Sequence, residues 1–252
     1  MRDVEGRTAL LTGASSGLGP VIARRLHREG VKLILTARRR AELDALAREL
    51  VGSRVVTADL SRRGEAEWLA GAAGGVDILI ANAGVAASGP LIELDVDSID
   101  VALEVNLRAP IVLSRLLLPG MVERGSGHVL LMASMAGQIP GPNSSIYSAT
   151  KFGLRGFGHS VRGELRGTGV GVSLVSPIFV RDAGLFADSG ASAPGMTVSP
   201  DQVAEACLRA IRQDRAEVTV APVYARLGGI VGQAAPALAT RVRSRMTEIP
   251  HD

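Results

Sequence analysis

The sequence predicts a doubly wound α/β fold, in which a parallel sheet carries helices on both faces. Short β-rich runs alternate with segments of helical period along most of the 252 residues, and this alternation is typical of parallel sheets. A hydrophobic fraction of 46% together with 30 glycines fits a compact chain with many tight turns. Because no internal repeat or low-complexity linker interrupts the pattern, one domain spanning residues 1–252 is expected.

The elements are predicted from the composition and period of each segment. Apolar and β-branched runs indicate buried strands, and segments with apolar residues three or four positions apart indicate helices. The strands are predicted at Thr8–Thr12, Lys32–Thr36, Arg54–Ala58, Asp77–Ile80, His128–Met132, Gly169–Val175 and Glu217–Ala221. The helices are predicted at Val21–Glu29, Ala41–Leu50, Ile99–Leu118, Tyr147–Arg166 and Pro200–Arg212.

Composition argues against several classes of function. The net charge is only +3, and aromatic residues make up 3% of the chain without a basic stripe between them, so nucleic-acid binding is not expected. The single Cys207 rules out an intrachain disulfide and a multi-cysteine metal site. The four histidines lack ligand spacing, and no metal is expected. A cytoplasmic protein is expected, because there is no signal-peptide pattern and no transmembrane segment; the uncharged stretch Leu227–Thr240 is too short.

A glycine-rich turn follows the first predicted strand and opens a helix. Glycine lets the backbone turn sharply and approach a ligand closely, and the free N–H groups of a helix N-terminus attract phosphate. Pro20 suits a first helical turn, where its missing N–H costs little. An ordinary tight turn is the alternative, but the position directly after the first strand favours dinucleotide binding. The residues expected to contact the cofactor are Gly13, Ser15, Ser16, Gly17, Leu18 and Gly19.

Basic residues follow the second predicted strand. A fold that binds NAD would carry an acidic residue near this strand end for the ribose 2′-hydroxyl, and none is present. Arg38 and Arg39 lie instead where the 2′-phosphate of NADP would sit, and guanidinium groups suit a phosphate dianion. A solvated helix start is the alternative. After the third strand, Asp59, with the adjacent Leu60, either bonds an adenine amino group or caps the next helix.

Further polar residues fall at the carboxyl edge of the predicted sheet, where ligands bind in open α/β folds. The run Asn82-Ala83-Gly84 follows the fourth strand. Ser134 ends the fifth strand, where its hydroxyl either bonds a carbonyl or alkoxide oxygen or forms a turn. Asn106 lies inside the long helix, and Pro110 cannot donate to its carbonyl. That carbonyl is either free for a water at a local distortion or part of a simple proline kink.

Tyr147 and Lys151 are four residues apart in a predicted helix, so their side chains share one face. A lysine ammonium beside the phenol favours the phenolate and is expected to lower the pKa of Tyr147. A tyrosine tuned in this way suits general acid–base catalysis. A chance pair on a solvated face is the alternative, and it is disfavoured because the chain has only two lysines and two tyrosines.

Together these motifs resemble the short-chain dehydrogenase/reductase family from about residue 7 to residue 221. The resemblance implies a Rossmann-like fold with seven parallel strands. It also implies hydride transfer between a nicotinamide cofactor and a carbonyl or alcohol. Arg38 matches the basic position of members that prefer NADP(H) over NAD(H). The motifs that carry the resemblance are Thr12–Gly19, Asn82-Ala83-Gly84, Asn106, Ser134 and Tyr147-x-x-x-Lys151.

The resemblance also implies a role for each polar residue of the reaction centre. Tyr147 donates the proton in reduction or removes it in oxidation. Lys151 lowers the pKa of Tyr147 and holds the nicotinamide ribose. Ser134 orients the substrate oxygen, and Asn106 holds the water that links Lys151 to solvent.

The chain departs from the family pattern after the sixth strand. The family usually has Pro-Gly there and a threonine four residues beyond the glycine, whereas this chain has Ile178 and Asp182 at those positions. The backbone contacts of Pro177 and Val180 with nicotinamide are expected to survive. Asp182 lacks the hydroxyl donor and adds a negative charge near the pyrophosphate. An alternative function, a nucleotide-sensing binding protein with little or no turnover, rests on these two changes.

Two segments are expected to shape the substrate pocket and the molecular surface. Residues 183–198, rich in small residues, are predicted as a mobile lid over the substrate. The tail, residues 222–252, is predicted as a core-packing helix, an oligomer contact or an amphipathic helix that touches a membrane. The resemblance implies a homodimer or homotetramer formed through the helices that contain Asn106 and Tyr147.

The leading hypothesis is an NADP(H)-dependent oxidoreductase that acts on a mostly apolar ketone, aldehyde or secondary alcohol. The nucleotide-sensing protein is the second hypothesis. A third is a protein that docks on a membrane surface through its basic tail.

Overall fold

A parallel sheet of seven strands forms the centre of the protein. The computed structural model describes residues 3–188 and 195–226. A second, two-stranded parallel sheet is formed by β7 and β8. The strands are β1 Thr8–Thr12, β2 Lys32–Thr36, β3 Arg54–Val55, β4 Ile78–Ala81, β5 Gly127–Met132, β6 Val170–Pro177, β7 Phe179–Val180, β8 Thr197–Val198 and β9 Glu217–Val220.

Helices cover both faces of the large sheet. The α-helices are α1 Leu18–His27, α2 Arg40–Glu49, α3 Glu65–Ala73, α4 Val96–Leu103, α5 Ala109–Glu123, α6 Ser145–Glu164, α7 Leu185–Asp188 and α8 Pro200–Gln213. A π-helical segment, Glu104–Arg108, joins α4 to α5, and short 3₁₀ turns lie at Leu91–Glu93 and Met135–Gly137. Within the described ranges, no helix combines the length and the apolar character needed to cross a membrane.

The direction in which successive strands are added to the sheet reverses between β1 and β4. The order is β3-β2-β1-β4-β5-β6-β9, and every pairing is parallel. The chain builds outward from β1 to β3 and then returns to build outward from β4. The two loops that leave β1 and β4 therefore diverge and leave a crevice at the carboxyl ends of the strands, which is where such folds bind ligands.

The core consists of two apolar layers, one on each face of the sheet. Neighbouring strand residues point to opposite faces, so Leu11 packs in the layer that contains Ile22 of α1, and Leu10 packs in the layer that contains Leu113 of α5. Cys207 is fully buried in the first layer, and burial raises the pKa of its thiol to about 12. This cysteine is therefore a core residue and not a reactive thiol.

The predicted doubly wound fold with a seven-stranded parallel sheet is confirmed, and most predicted elements lie within a few residues of their observed bounds. The third strand was predicted too long, because only Arg54 and Val55 pair with β2. The helix α3 and the small β7–β8 sheet were not predicted. Short alanine and glycine side chains give α3 little apolar periodicity, and a two-residue strand carries almost no pattern.

The long helix predicted at Ile99–Leu118 is in fact three segments. It begins earlier, at Val96, because the Asp95 carboxylate accepts a hydrogen bond from the Ser98 N–H at 2.6 Å and caps α4. It is then widened at the π-helical segment, where the Ala109 N–H donates to the Glu104 carbonyl five residues back. Pro110 follows directly and supplies no N–H. The predicted local distortion is therefore a π-helical turn and not a simple kink.

Candidate active site

A cleft of about 280 Å³ lies at the carboxyl ends of β1, β2 and β4. It is lined by residues from the loops that leave these strands, in keeping with the strand switch between β1 and β4. Most of the predicted cofactor-binding positions border it. They are Gly13, Ser15, Ser16, Arg38, Arg39, Asp59, Leu60, Ala83 and Gly84.

The glycine turn is packed so tightly that side chains cannot enter it. Gly13 has a φ of +67°, and a Cβ at this position would lie 2.8 Å from the Ala83 Cα. A Cβ at Gly19 would lie 2.1 Å from the Gly13 carbonyl oxygen. No side chain in the described part of the chain caps α1, which begins at Leu18. The first turn of this helix therefore has no side-chain cap, and the Gly19 N–H donates instead to the Ser16 carbonyl at 3.0 Å.

The side chain of Thr12 ties the two loops of the cleft together. Its hydroxyl accepts hydrogen bonds from the Asn82 N–H at 3.0 Å and the Ala83 N–H at 2.9 Å. In return, the Asn82 side-chain amide donates to the Thr12 carbonyl at 3.0 Å. The sequence predicts that Asn82 contacts the cofactor. In the structure its side-chain amide is hydrogen-bonded to the start of the glycine turn. Thr12 was not predicted as a site residue; the available signal was a hydroxyl at the end of an otherwise apolar strand.

The two arginines after β2 have different surroundings. The Arg39 guanidinium lies 3.3 Å from the Ser15 hydroxyl and 3.5 Å from a Glu42 carboxylate oxygen. Arg38 is exposed on the wall of the cleft, close enough to Asp59 to act on its charge. Arg39 is therefore held by its neighbours, whereas Arg38 is positioned to meet a ligand.

Asp59 forms a turn and does not cap a helix. Its carboxylate accepts hydrogen bonds from the Ser61 hydroxyl at 2.7 Å and the Ser61 N–H at 3.2 Å, while α3 begins only at Glu65. Burial acts to raise the pKa of Asp59, but the Ser61 hydrogen bonds and the positive charge of Arg38 outweigh it and hold this pKa below its usual value. The helix-cap interpretation is wrong, and the charged carboxylate stays at the edge of the cleft.

Asn106 is fully buried and its side chain clamps the loop after β4. The side-chain oxygen accepts from the Val85 N–H at 2.8 Å, and the amide donates to the Val85 carbonyl at 3.0 Å. The amide also lies 3.4 Å from the Thr150 hydroxyl, which donates to the Tyr147 carbonyl at 2.7 Å. The Asn106 side chain therefore connects the loop of the cleft to the helix that carries Tyr147.

Ser134, Tyr147 and Lys151 meet between the end of β5 and the first turns of α6. The Ser134 side chain lies close enough to the Tyr147 phenol to lower its pKa, and its hydroxyl accepts a hydrogen bond from the Ala136 N–H at 3.1 Å. The Lys151 Nζ donates to the Met132 carbonyl at 2.9 Å and lies 5.5 Å from the centroid of the Tyr147 ring. A Cβ at Gly84, a residue that lines the cleft, would lie 3.9 Å from the same Nζ, so the buried ammonium lies directly behind this part of the cleft wall.

Burial dominates the pKa values of this group. It lowers the pKa of Lys151 to about 8. Burial raises the pKa of Tyr147, and the neighbouring Ser134 side chain only partly offsets this. The expectation that Lys151 lowers the pKa of Tyr147 is therefore wrong for the protein alone, because at 5.5 Å the ammonium does not outweigh the loss of water around the phenol.

The model of the short chain dehydrogenase family matches residues 7–192. The chain belongs to the short-chain dehydrogenase/reductase family. Ketoacyl reductase HetN of Nostoc sp. is 35% identical over 257 aligned residues, which cover 96% of this chain and 90% of the relative. The chain is accordingly an oxidoreductase of this family.

Solved structures of the family have the same fold as this chain. A short-chain dehydrogenase from Sphingobium yanoikuyae in complex with NADPH is 29% identical, with a TM-score of 0.81 and 97% of each chain covered. A bulky-bulky ketone specific alcohol dehydrogenase from Comamonas testosteroni is 27% identical, with a TM-score of 0.80 and coverage of 97% of this chain and 95% of that chain.

The loop after β6 runs beside the glycine turn, although it lacks the glycine and threonine usual in short-chain dehydrogenases. Pro177 ends β6, and the Ile178 N–H donates to the Val220 carbonyl at 3.0 Å, so the isoleucine continues the strand pattern. Asp182 is exposed with a φ of +64°. A Cβ at Gly17 would lie 3.1 Å from the Gly184 Cα. This loop therefore closes directly over the start of α1.

The predicted lid and tail are described only in part. Within the lid, residues 183–188 and 195–198 include α7 and β8, and the Phe179 and Phe186 rings lie 4.5 Å apart. Residues 189–194, and residues 227–252 of the tail, lie outside the described residues. The Tyr224 hydroxyl donates to the Gly195 carbonyl. The start of the tail therefore contacts the end of the lid.

Proposed function

We propose that this chain is an NADP(H)-dependent oxidoreductase that moves a hydride between nicotinamide and a mostly apolar ketone, aldehyde or secondary alcohol. The observation that carries the proposal is the meeting of Ser134, Tyr147 and Lys151 behind Gly84, which lines the same cleft as Gly13 of the glycine turn. The names of the relatives agree with carbonyl chemistry, since one is a ketoacyl reductase and another acts on bulky ketones.

The residues of the cleft fit a dinucleotide phosphate. Gly13 and Gly19 keep the turn free of side chains, because a Cβ at either position would strike backbone atoms, and we assign the N–H groups of the uncapped α1 N-terminus to a pyrophosphate. Arg38 offers a guanidinium for the 2′-phosphate, and Asp59 offers a charged carboxylate for the adenine amino group. We assign backbone contacts with nicotinamide to Pro177 and Val180.

Tyr147, Ser134 and Lys151 each have a separate role in the proposed reaction. When bound, the nicotinamide supplies or accepts the hydride. In reduction, Tyr147 donates its phenolic proton to the substrate oxygen, and its raised pKa keeps that proton in place until the oxygen gains charge. Ser134 donates a hydrogen bond to the same oxygen and orients it. Lys151, whose Nζ lies 5.5 Å from the centroid of the Tyr147 ring, offsets part of the cost of burying the phenolate that remains.

Lys151 and Asn106 complete the proposed proton route. An ammonium has three donors, and Lys151 uses one on the Met132 carbonyl, which leaves two for a ribose and a water. The Asn106 side chain is committed to Val85, so we assign the water-holding role to its backbone carbonyl in the π-helical segment. Proton return to Tyr147 would then run through Lys151.

The first test of the reaction is Tyr147→Phe. We expect this variant to lose turnover of an NADPH-linked ketone panel by at least about 100-fold, since general acid–base catalysis contributes about 10²–10⁴. Binding of NADPH, followed by its fluorescence, should change less than about threefold because the phenol does not hold the phosphates. Wild-type turnover in Tyr147→Phe would overturn the mechanism.

The cofactor preference is tested by Arg38→Asp. We expect this substitution to weaken NADPH binding relative to NADH by at least about tenfold, because a repulsive charge replaces a phosphate ligand. Arg40→Asp is the matched control: it makes the same charge change two residues away, where Arg40 pairs with Asp44 at 2.8 Å outside the cleft. An equal ratio of the two affinities in Arg38→Asp and the wild type would remove Arg38 from the 2′-phosphate site.

A nucleotide-sensing protein is the second candidate function. The departures of Ile178 and Asp182 from the family pattern, in the loop that closes over α1, motivate it. It predicts tight NADPH binding without turnover across a broad carbonyl panel. A cytoplasmic location and a homodimer or homotetramer stay predictions, the latter measurable by light scattering after size-exclusion chromatography.

A further inference from the structure

One face of α6 carries four polar side chains at intervals of four residues. Tyr147 and Lys151 occupy the first two positions, and Arg155 and His159 occupy the next two. Residues four apart lie one above the other on a helix. The catalytic pair proposed above is therefore continued by a second pair, for which the proposed reaction has no use.

A single carboxylate binds this second pair. The Arg155 Nε donates to the Glu217 carboxylate at 2.9 and 3.1 Å, and the His159 Nε2 lies 3.1 Å from it. The Ser176 hydroxyl and the Gln138 side-chain amide also donate to Glu217, at 3.0 and 2.7 Å. Only 14% of the Glu217 side chain is exposed. Glu217, the first residue of β9, thus forms a hydrogen-bonded hub that joins α6, β6 and the loop after β5.

Gln138 connects this hub to the turn that holds Ser134. Ser134 begins the 3₁₀ turn Met135–Gly137 and Gln138 ends it, with the Gln138 N–H donating to the Met135 carbonyl at 2.9 Å. The turn also lies directly on α6, since a Cβ at Gly137 would be 2.6 Å from the Lys151 carbonyl oxygen. A buried Gln138, only 6% exposed, therefore fixes the end of the turn against β9.

We propose that Glu217 is a positioning residue for the reaction centre, because it binds Gln138 and Arg155 and so sets the distance between Ser134 and the Tyr147–Lys151 pair. The inference rests on the proposed function. Glu217 touches neither substrate nor cofactor; it acts through the turn on one side and through α6 on the other. A displacement of about 1 Å at a reacting group costs about 100-fold in rate. Loss of the Glu217 contacts should therefore lower kcat measurably.

The charge state of Glu217 suits a permanent clamp. Burial acts to raise the pKa of Glu217, but the Gln138 hydrogen bond and the neighbouring Arg155 outweigh it and hold this pKa below its usual value. The carboxylate therefore stays ionised at neutral pH and accepts from all of its donors. The groups that face it are Gln138, Arg155, His159 and Ser176.

Gln138→Met separates positioning from stability. Methionine keeps the length of the buried side chain but cannot donate, so the turn loses its bonds to Glu217 and to the Thr219 hydroxyl, at 2.7 and 3.1 Å, while the Arg155 ion pair remains. We expect kcat to fall about tenfold, with the dissociation constant of NADPH unchanged. The pKa read from the pH dependence of kcat/KM should rise, because the displaced Ser134 no longer lowers the pKa of Tyr147. Glu217→Gln should move both quantities in the same direction.

Asp214→Asn is the matched control. Asp214 lies three residues before Glu217 and also pairs with α6, through two hydrogen bonds to Arg162 at 2.7 and 2.9 Å, but no contact joins it to the Ser134 turn. Its φ of +48° is one that asparagine tolerates. We expect this variant to lose stability while keeping the kcat and the pH profile of the wild type.

The outcomes separate this inference from the function on which it rests. Loss of kcat and a raised pKa in Gln138→Met and Glu217→Gln, without either change in Asp214→Asn, would support it. Wild-type kinetics in Gln138→Met, in a protein whose Tyr147→Phe variant is inactive, would overturn the positioning role alone. Absence of turnover in the wild type would overturn the proposed function and this inference together. Equal losses in all three variants would show a structural role only.

Discussion

The two ends of the β5–β6 strand pair each bury a basic side chain, with different results. At the carboxyl end, Lys151 has a pKa lowered to about 8 and lies behind Gly84 of the cleft wall. At the amino end, His128 is fully buried and has a pKa lowered to about 3. Burial is the main cause in both cases. The lysine still carries its charge at neutral pH, whereas the histidine is neutral.

The hydrogen-bond partners of His128 and Lys151 explain why the histidine is structural and the lysine is available to a ligand. The His128 Nε2 bonds the Ser173 hydroxyl at 2.9 Å, and that hydroxyl also lies 2.6 Å from the Arg215 carbonyl oxygen. The nearby charges of Arg162 and Asp214 are paired with each other. Lys151 instead has one backbone partner, the Met132 carbonyl, and two further donors, and its ammonium lies behind Gly84 of the cleft wall. The polar groups at the amino end bond to one another and to the backbone, apart from the buried His128 Nδ1, which has no hydrogen-bond partner in the described part of the chain. Two Lys151 donors at the carboxyl end are left for a ligand.

Lys151→Met should give the largest effect and act on activity and stability in opposite directions. We expect turnover to fall by at least about 100-fold. Holding the buried ammonium charged costs the fold about 3 kcal/mol relative to the unfolded chain. After loss of the bond to the Met132 carbonyl, a net gain of about 1 kcal/mol remains, or about 2–4 °C in Tm.

The pH dependence of this gain follows from the lowered pKa of Lys151. Below about pH 8 the lysine is charged in both the folded and the unfolded state, so the advantage of the methionine variant is complete. Between about pH 8 and the model-peptide value of 10.5, the folded protein loses the proton first and the wild type recovers. Urea unfolding of both proteins at pH 7 and pH 10 measures the difference, and a variant less stable than the wild type at pH 7 would contradict it.

His128→Leu tests the amino end and should affect stability alone. The unfolded chain protonates this histidine near pH 6.5 and the folded chain only near pH 3, so acid favours unfolding between these values. From pH 7.5 to pH 5.0 the wild type should lose about 2 kcal/mol from this group, and the variant should not. Ser173 keeps the Arg215 carbonyl as an acceptor. Equal pH dependence of the unfolding free energy in the two proteins would contradict the lowered pKa of His128. A change in kcat at pH 7.5 would contradict its purely structural role.

The sequence predicts the fold better than the contacts of the site. Strands β1 and β2 could be predicted to the residue, because parallel strands buried on both faces are continuous apolar runs. The glycine turn could be located because only glycine fits a backbone contact such as that between Gly13 and Ala83. These features depend on local chain chemistry, which the sequence states directly.

Contacts between distant segments could not be predicted in the same way. Spacing placed Lys151 beside Tyr147 but did not show that burial outweighs its charge, since burial depends on the whole fold. The Asn106 side chain bonds Val85, 21 residues away, and Glu217 bonds Gln138, 79 residues away. Nothing in the local pattern of Glu217 distinguishes it from a solvated strand end.

Asp182→Asn should give the smallest effect, and it tests whether the charge of Asp182 weakens cofactor binding at the carboxyl end. The position has a φ of +64°, which asparagine tolerates but the β-branched threonine usual in the family does not. Removing the charge also frees Arg181, whose guanidinium lies 3.5 Å from the Asp182 carboxylate. We expect NADPH to bind about two- to fivefold more tightly at low salt, because a repulsive charge near the pyrophosphate is lost.

Salt decides whether that gain is electrostatic. Asp182 and Arg181 are both exposed, so their effect on a bound phosphate should shrink as the Debye length falls from about 30 Å at 0.01 M to about 3 Å at 1 M. The dissociation constants of the wild type and of Asp182→Asn should therefore converge across this range. A gain that persists at 1 M salt would point to a changed loop conformation. No gain at any salt concentration would mean that the loop over α1 holds its carboxylate away from the phosphates, so that the carboxyl end tolerates this acidic residue without cost to cofactor binding.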